Sequence, residues 1–117
     1  MRKVSDWTLL EELVGDDSPA MVLYHAVGSP LDKGMRAMFA RVAEESGERI
    51  RFLTADVNEN PCLKERMRVR VQPTVVLYVA GVEVARRVRP GTPFDIQAMI
   101  PPGSGDPSEG GQKWGTT

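Results

Sequence analysis

AMVLYHAVGSPLDKGMRAMFARVAEESGERIRFLTADV, residues 20 to 57, holds two apolar runs separated by a short turn and a helical pattern. Ala20 to Tyr24 are continuously apolar rather than alternating, as in a strand buried on both faces. The turn Gly28-Ser29-Pro30-Leu31-Asp32 follows, and then Met35, Met38, Phe39 and Val42 recur at i, i+3, i+4 and i+7, one face of a helix. Ser46-Gly47 closes that helix, and Ile50 to Val57 reads as the next strand. Strand, helix and strand over this length make a right-handed βαβ unit with parallel strands.

Working outward, Ser5 or Asp6 is placed to cap a first helix in which Trp7, Leu10, Leu13 and Val14 form the apolar face. Asn60-Pro61 opens a short helix running to about Arg68, with Asn as the cap and Pro in the first turn. Thr74 to Val79 and Val82 to Val88 are β-rich runs separated by Ala80-Gly81, a hairpin signal. Thr92-Pro93 caps a last helix with Phe94, Ile96, Met99 and Ile100 as its apolar contacts. One domain, residues 1 to 100, is expected. Residues 101 to 117 contain five glycines, open on Pro101-Pro102 and hold one large apolar residue, Trp114. Such a segment buries too little surface to offset its ordering entropy and reads as a disordered Gly/Pro-rich tail.

Composition sets the class. At 117 residues, 41 % apolar and 26 % charged, the chain has the balance of a globular domain with a modest core. No apolar run approaches the ~18 residues of a membrane span, and the N-terminus lacks the apolar core of a signal peptide. A cytoplasmic location with no membrane partner is expected. A single cysteine, Cys62, forms no internal disulfide and fits a reducing compartment. Net charge is −1 but unevenly spread: residues 1 to 63 carry seven Lys/Arg against eleven Asp/Glu, and residues 64 to 100 carry seven against three. The basic share, Lys64, Arg66, Arg68, Arg70, Arg86, Arg87 and Arg89, could meet an acidic partner or a phosphate backbone. Without interleaved aromatics or a nucleic-acid signature it reads as a solvated basic face, and no nucleic-acid partner is expected.

The order α, βαβ, α, ββ, α resembles thioredoxin from about residue 5 to residue 100. The segments that carry the likeness are MVLYHA, ADVNENP, VRVQPTVVLYVAGVEV and the closing amphipathic helix. The resemblance implies an α/β thioredoxin fold, a central mixed sheet (βαβ plus ββα) flanked by helices, with a cis-proline loop at Gln72-Pro73-Thr74. It also implies that Gly28-Ser29-Pro30-Leu31-Asp32-Lys33 stand where thioredoxins have Trp-Cys-Gly-Pro-Cys-Lys. Ser29 and Asp32 then replace both redox cysteines, Leu23 replaces a buried aspartate, and Arg89 replaces a glycine beside the substrate. Disulfide exchange needs an attacking thiolate and a resolving thiol, and serine supplies neither. No CxxC oxidoreductase activity is expected.

The same residues bear on other chemistry. Ser29 has Lys33 one turn on and His25 at the strand end, but Ser29-Pro30-Leu31-Asp32 reads better as a helix start, with Ser29 the N-cap and Asp32 at the positive end of the dipole. His25 and Asp32 are too few for a metal site, and Asp56 belongs to another strand end, so neither metal nor cofactor is expected. Cys62 lies in the first turn of a helix, where the dipole favours a thiolate, with Arg66 four residues on. A buried structural cysteine is the plainer reading.

The expectation is therefore a redox-inactive, chaperone-like or assembly-accessory protein. It binds a protein or peptide partner in the ancestral groove between Gly28 to Asp32, Gln72-Pro73-Thr74 and Val88-Arg89. The alternative is a single-cysteine redox sensor or oxidoreductase using Cys62. Truncation after Ile100 should leave the thermal midpoint nearly unchanged; a fall of many degrees would place Trp114 against the domain.

Overall fold

The βαβ unit forms around Ala20–His25, every residue of which is buried. This computed structural model describes residues 1–47 and 49–101, so the expected tail and Trp114 lie outside the described residues. The strands are Arg2–Lys3 (β1), Ala20–His25 (β2), Arg51–Asp56 (β3), Thr74–Val79 (β4) and Val82–Val88 (β5). The helices are Leu9–Val14 (α1), Asp32–Ser46 (α2), Pro61–Arg66 (α3) and Pro93–Gln97 (α4). They flank a five-stranded mixed sheet of order β1-β3-β2-β4-β5. β2 pairs in parallel with β3, Ala20 opposite Arg51 and His25 opposite Asp56, and antiparallel with β4.

Alternation along β2 divides the core in two. Val22 and Tyr24 face the layer of Leu9, Leu13, Leu63 and Val69, contributed by α1, α3 and the segment after α3. Met21 and Leu23 face Met35, Phe39 and Val42 of α2 and Ile96 of α4. In that second layer Phe39 meets Phe52 edge-to-face, with ring centroids 5.2 Å apart, a geometry that adds about 1 kcal/mol to simple burial. In the first layer the Tyr24 and Tyr78 hydroxyls bond each other at 2.8 Å, which satisfies two polar groups that are costly to bury alone.

Several local expectations change. α1 buries Leu9 and Leu13, an i, i+4 pair, whereas Trp7, Leu10 and Val14 are exposed. The helix is one and a half turns long, and its orientation follows the strand layer rather than its own apolar count. The Ser5 hydroxyl does accept from the N–H groups of Trp7 and Thr8, in the turn before the helix. Asp6 serves α3 instead: its Oδ1 accepts from Leu63 N–H at 2.9 Å, and its own N–H donates to Asn60 Oδ1. Asn60, the expected cap, thus holds Asp6 and makes no side-chain cap bond. Phe94 is exposed at the start of α4, while the capping box of Thr92 and Asp95 forms in full. β1 is a strand that the local sequence pattern does not show. It is two charged residues long, and only its pairing with Leu53 and Thr54 makes it a strand.

Ala80 and Gly81 both take positive φ, 50° and 81°, as the twist of a two-residue hairpin requires. Arg51 ties the loop after α1 to the sheet by donating to the carbonyls of Asp16 and Ser18, at 3.1 and 2.8 Å, and to that of Glu12.

Burial pushes the Tyr78 phenol up to about 12 and the Tyr24 phenol higher still. A raised folded pKa keeps both rings protonated while the unfolded chain ionises above about 10. Stability is therefore full below pH 10 and falls as pH rises toward 12, because the unfolded state then binds fewer protons. These are the two tyrosines of the chain. Phenolate absorbance should appear only together with loss of the fold, and an ordinary tyrosine titration in the folded protein would contradict this.

Candidate functional site

The turn between β2 and α2 is built differently from a simple helix start. Gly28 takes φ 95°, open to glycine without steric cost. Ser29 N–H donates to Ala26 O and Asp32 N–H to Ser29 O, each at 3.1 Å, so the chain makes one further turn before the helix begins. The N-cap is Leu31, with no side-chain cap bond. Ser29 does not cap: its Oγ is buried without a hydrogen-bond partner among the described residues. No base reaches it, so it has no activated nucleophile's geometry.

Asp32 stands in the first turn of α2, as expected, and also joins a buried network. Its side chain is 2 % exposed and lies between two donors. His25 Nδ1–H donates to Oδ1 at 2.8 Å, and Arg36 Nε–H donates to Oδ2 at 2.8 Å. Opposite charge and both hydrogen bonds offset the cost of taking this carboxylate out of water. His25 is itself buried, while the Arg36 side chain remains half-exposed. Spacing alone did not suggest this set. The signal was present: positions 25, 32 and 36 join a strand end to the first two turns of a helix, with Asp32 and Arg36 at i, i+4.

Two surface grooves border the turn. One of about 400 Å³ is lined by Pro30, Leu31, Gly34, Met35, Met38, Arg89, Pro90 and Gly91. Another, of about 590 Å³, lies at the carboxyl ends of β1, β2 and β3 and includes Lys3, His25, Lys33, Arg36, Thr54 and Asp56. The structure thus joins Pro30 and Leu31 to Arg89 and sends Lys33 to a different groove. Arg89 holds φ 48°, a left-handed conformation unusual outside glycine. The Gln72–Pro73 bond is cis. Pro73 and Thr74 are buried, the Pro73 carbonyl accepts from Arg89 N–H at 2.9 Å, and Thr74 Oγ1 donates to Val71 O. Gln72 Nε2 is buried without a partner among the described residues, and Val88 is half-exposed.

Cys62 is exposed, which corrects the expectation of a buried structural cysteine. Leu63, the next residue, faces the core instead. Among the described residues no group of three or more His, Cys, Asp and Glu side chains is placed to hold a metal ion. No helix among them is long and apolar enough to cross a membrane.

This mixed five-stranded sheet with helices on both faces is a thioredoxin-like fold. A thioredoxin of Malassezia sympodialis superposes with a TM-score of 0.75 at 20 % identity, covering 85 % of this chain and 86 % of that one. Mitochondrial thioredoxin 3 of Saccharomyces cerevisiae, in its oxidised form, gives 0.74 at 20 % identity, covering 86 % and 92 %. In sequence, the chain is 33 % identical over 67 residues to a thioredoxin of Aspergillus fumigatus. That match spans 56 % of this chain and 62 % of the relative, less than two thirds of its length. No family model matches the chain. These three proteins are named thioredoxins, which overturns the expectation of a redox-inactive, chaperone-like binder.

Removing the Asp32 carboxylate tests the buried network. Asp32→Ala leaves two donors without their acceptor and should cost about 3 kcal/mol in denaturant unfolding. Asp32→Asn should cost less, and a loss below about 1 kcal/mol for the alanine variant would show that the pair contributes little.

Proposed function

We propose that the protein is a thioredoxin-fold thiol oxidoreductase or redox sensor acting through Cys62. The observation that carries this reading is the exposure of the chain's single thiol, supported by the likeness to thioredoxins. In this reading the turn, with Ser29 and Asp32 where the thioredoxin pattern has cysteines, supplies no thiol. The Cys62 thiolate attacks one sulfur of a disulfide, the S–S bond breaks, and the other sulfur leaves as a thiolate. The mixed disulfide is then attacked by an external low-molecular-weight thiol, which takes over that bond and returns Cys62 as a thiolate. No metal or organic cofactor enters the cycle.

Lys64 and Arg66 stand two and four residues beyond Cys62 on α3. The substrate is a protein disulfide. Gly28 to Lys33, the cis-proline loop Gln72-Pro73-Thr74, Val88 and Arg89 are assigned to holding that protein rather than to the chemistry. A reducing, cytoplasmic location belongs to the same reading.

The test is the rate at which glutathione disulfide modifies Cys62, followed by mass spectrometry, and the release of the adduct by added thiol. Modification should run about tenfold faster than for a cysteine in an unstructured peptide, and Cys62→Ser should abolish it. A rate equal to the peptide's, or none, would overturn the proposal.

A further inference from the structure

Three of the basic residues after position 63 meet on one surface. Lys64, Arg68 and Arg70, with Pro61, Glu65 and Val69, line a groove of about 560 Å³ between α3 and the approach to β4. Among the described residues none of Lys64, Arg66, Arg68 or Arg70 has a carboxylate within ion-pair distance. All four are exposed, while Val69 is buried beneath them.

The groove is held in shape from outside. Arg86 reaches across from β5 and donates to Arg68 O at 2.7 Å and to Met67 O at 2.8 Å, taking up carbonyls that the end of α3 leaves open. Glu83 accepts two bonds from Arg86, each 2.9 Å, and these bonds hold the Glu83 carboxyl below the usual carboxylate range. Arg68 is kept at φ 57° in the same turn, and Val69 N–H returns to Lys64 O at 2.8 Å. Like charges gathered on a surface held this way repel one another, and an anionic ligand relieves that repulsion at little ordering cost.

We propose that this groove is the docking site for an acidic segment of a protein partner. One feature favours a peptide over a nucleic acid: no aromatic side chain lines the groove to stack on bases. Cys62 directly follows Pro61 of the lining, so a docked protein brings its own disulfide to the thiol. That consequence rests on the thiol reading above, whereas docking itself does not.

Fluorescence anisotropy with a labelled Glu-rich peptide of about ten residues tests the site. A labelled single-stranded oligonucleotide of equal charge and a Lys-rich peptide are run beside it. The acidic peptide should bind, and more weakly as salt is raised. Arg68→Glu with Arg70→Glu should lower its affinity at least about tenfold without altering the circular dichroism spectrum. Lys64→Glu, changed alone at an exposed position, should weaken it in the same direction, which covers the case in which the double variant folds poorly. Arg41→Glu, on the exposed side of α2, should leave binding unchanged. Cys62→Ser should bind the peptide like the parent chain, so failed thiol chemistry and failed docking are read separately. Unchanged affinity on charge reversal, salt-independent binding, or tighter binding of the oligonucleotide would overturn the proposal.

Discussion

Two-sided burial of β2 is the constraint on which the other layers depend. β2 sits between β3 and β4, and its alternate side chains anchor both halves of the core. A strand so placed has no solvent face, so each apolar side chain needs a layer to receive it. α2 and α4 supply one layer; α1, α3 and the segment around Val69 supply the other. The same pairing sets His25 beside Asp56 at the carboxyl ends of two parallel strands, where α/β sheets open toward ligands.

The turn after β2 leaves one polar group unmet and satisfies another. Among the described residues Ser29 Oγ is buried without a partner, while three residues on Asp32 makes two short bonds to His25 and Arg36. The buried carboxylate joins the end of β2 to the first turns of α2 more firmly than a surface ion pair would, because little water competes for the charges. This is a structural role. The Asp32 carboxylate is committed to His25 and Arg36, and the exposed thiol lies elsewhere, on α3.

The surface of α3 brings together features that are separate in the chain. Asp6 from the N-terminal segment caps its start, Arg86 from β5 binds the carbonyls at its end, and the exposed cations lie along the groove beside it. A helix of six residues is marginal in isolation. Contacts from two distant segments hold it in place.

Apolar periodicity determined most of this architecture in the sequence by itself. The runs at Ala20 to Tyr24 and Thr74 to Val79, the Met35–Phe39–Val42 face, the Ala80-Gly81 hairpin and the Thr92 cap were legible because each depends on neighbours within a few residues. Only the tertiary structure decided the rest. β1 exists because β3 offers it a partner, α1 turns Trp7 outward because Leu9 and Leu13 meet the sheet, and Asp6 caps a helix 57 residues away. Asp32 is buried because His25 and Arg36 converge on it, and Cys62 is exposed because Leu63 takes the inward position. Each of these follows from which groups meet across the fold, and local patterns carry no information about partners distant in sequence.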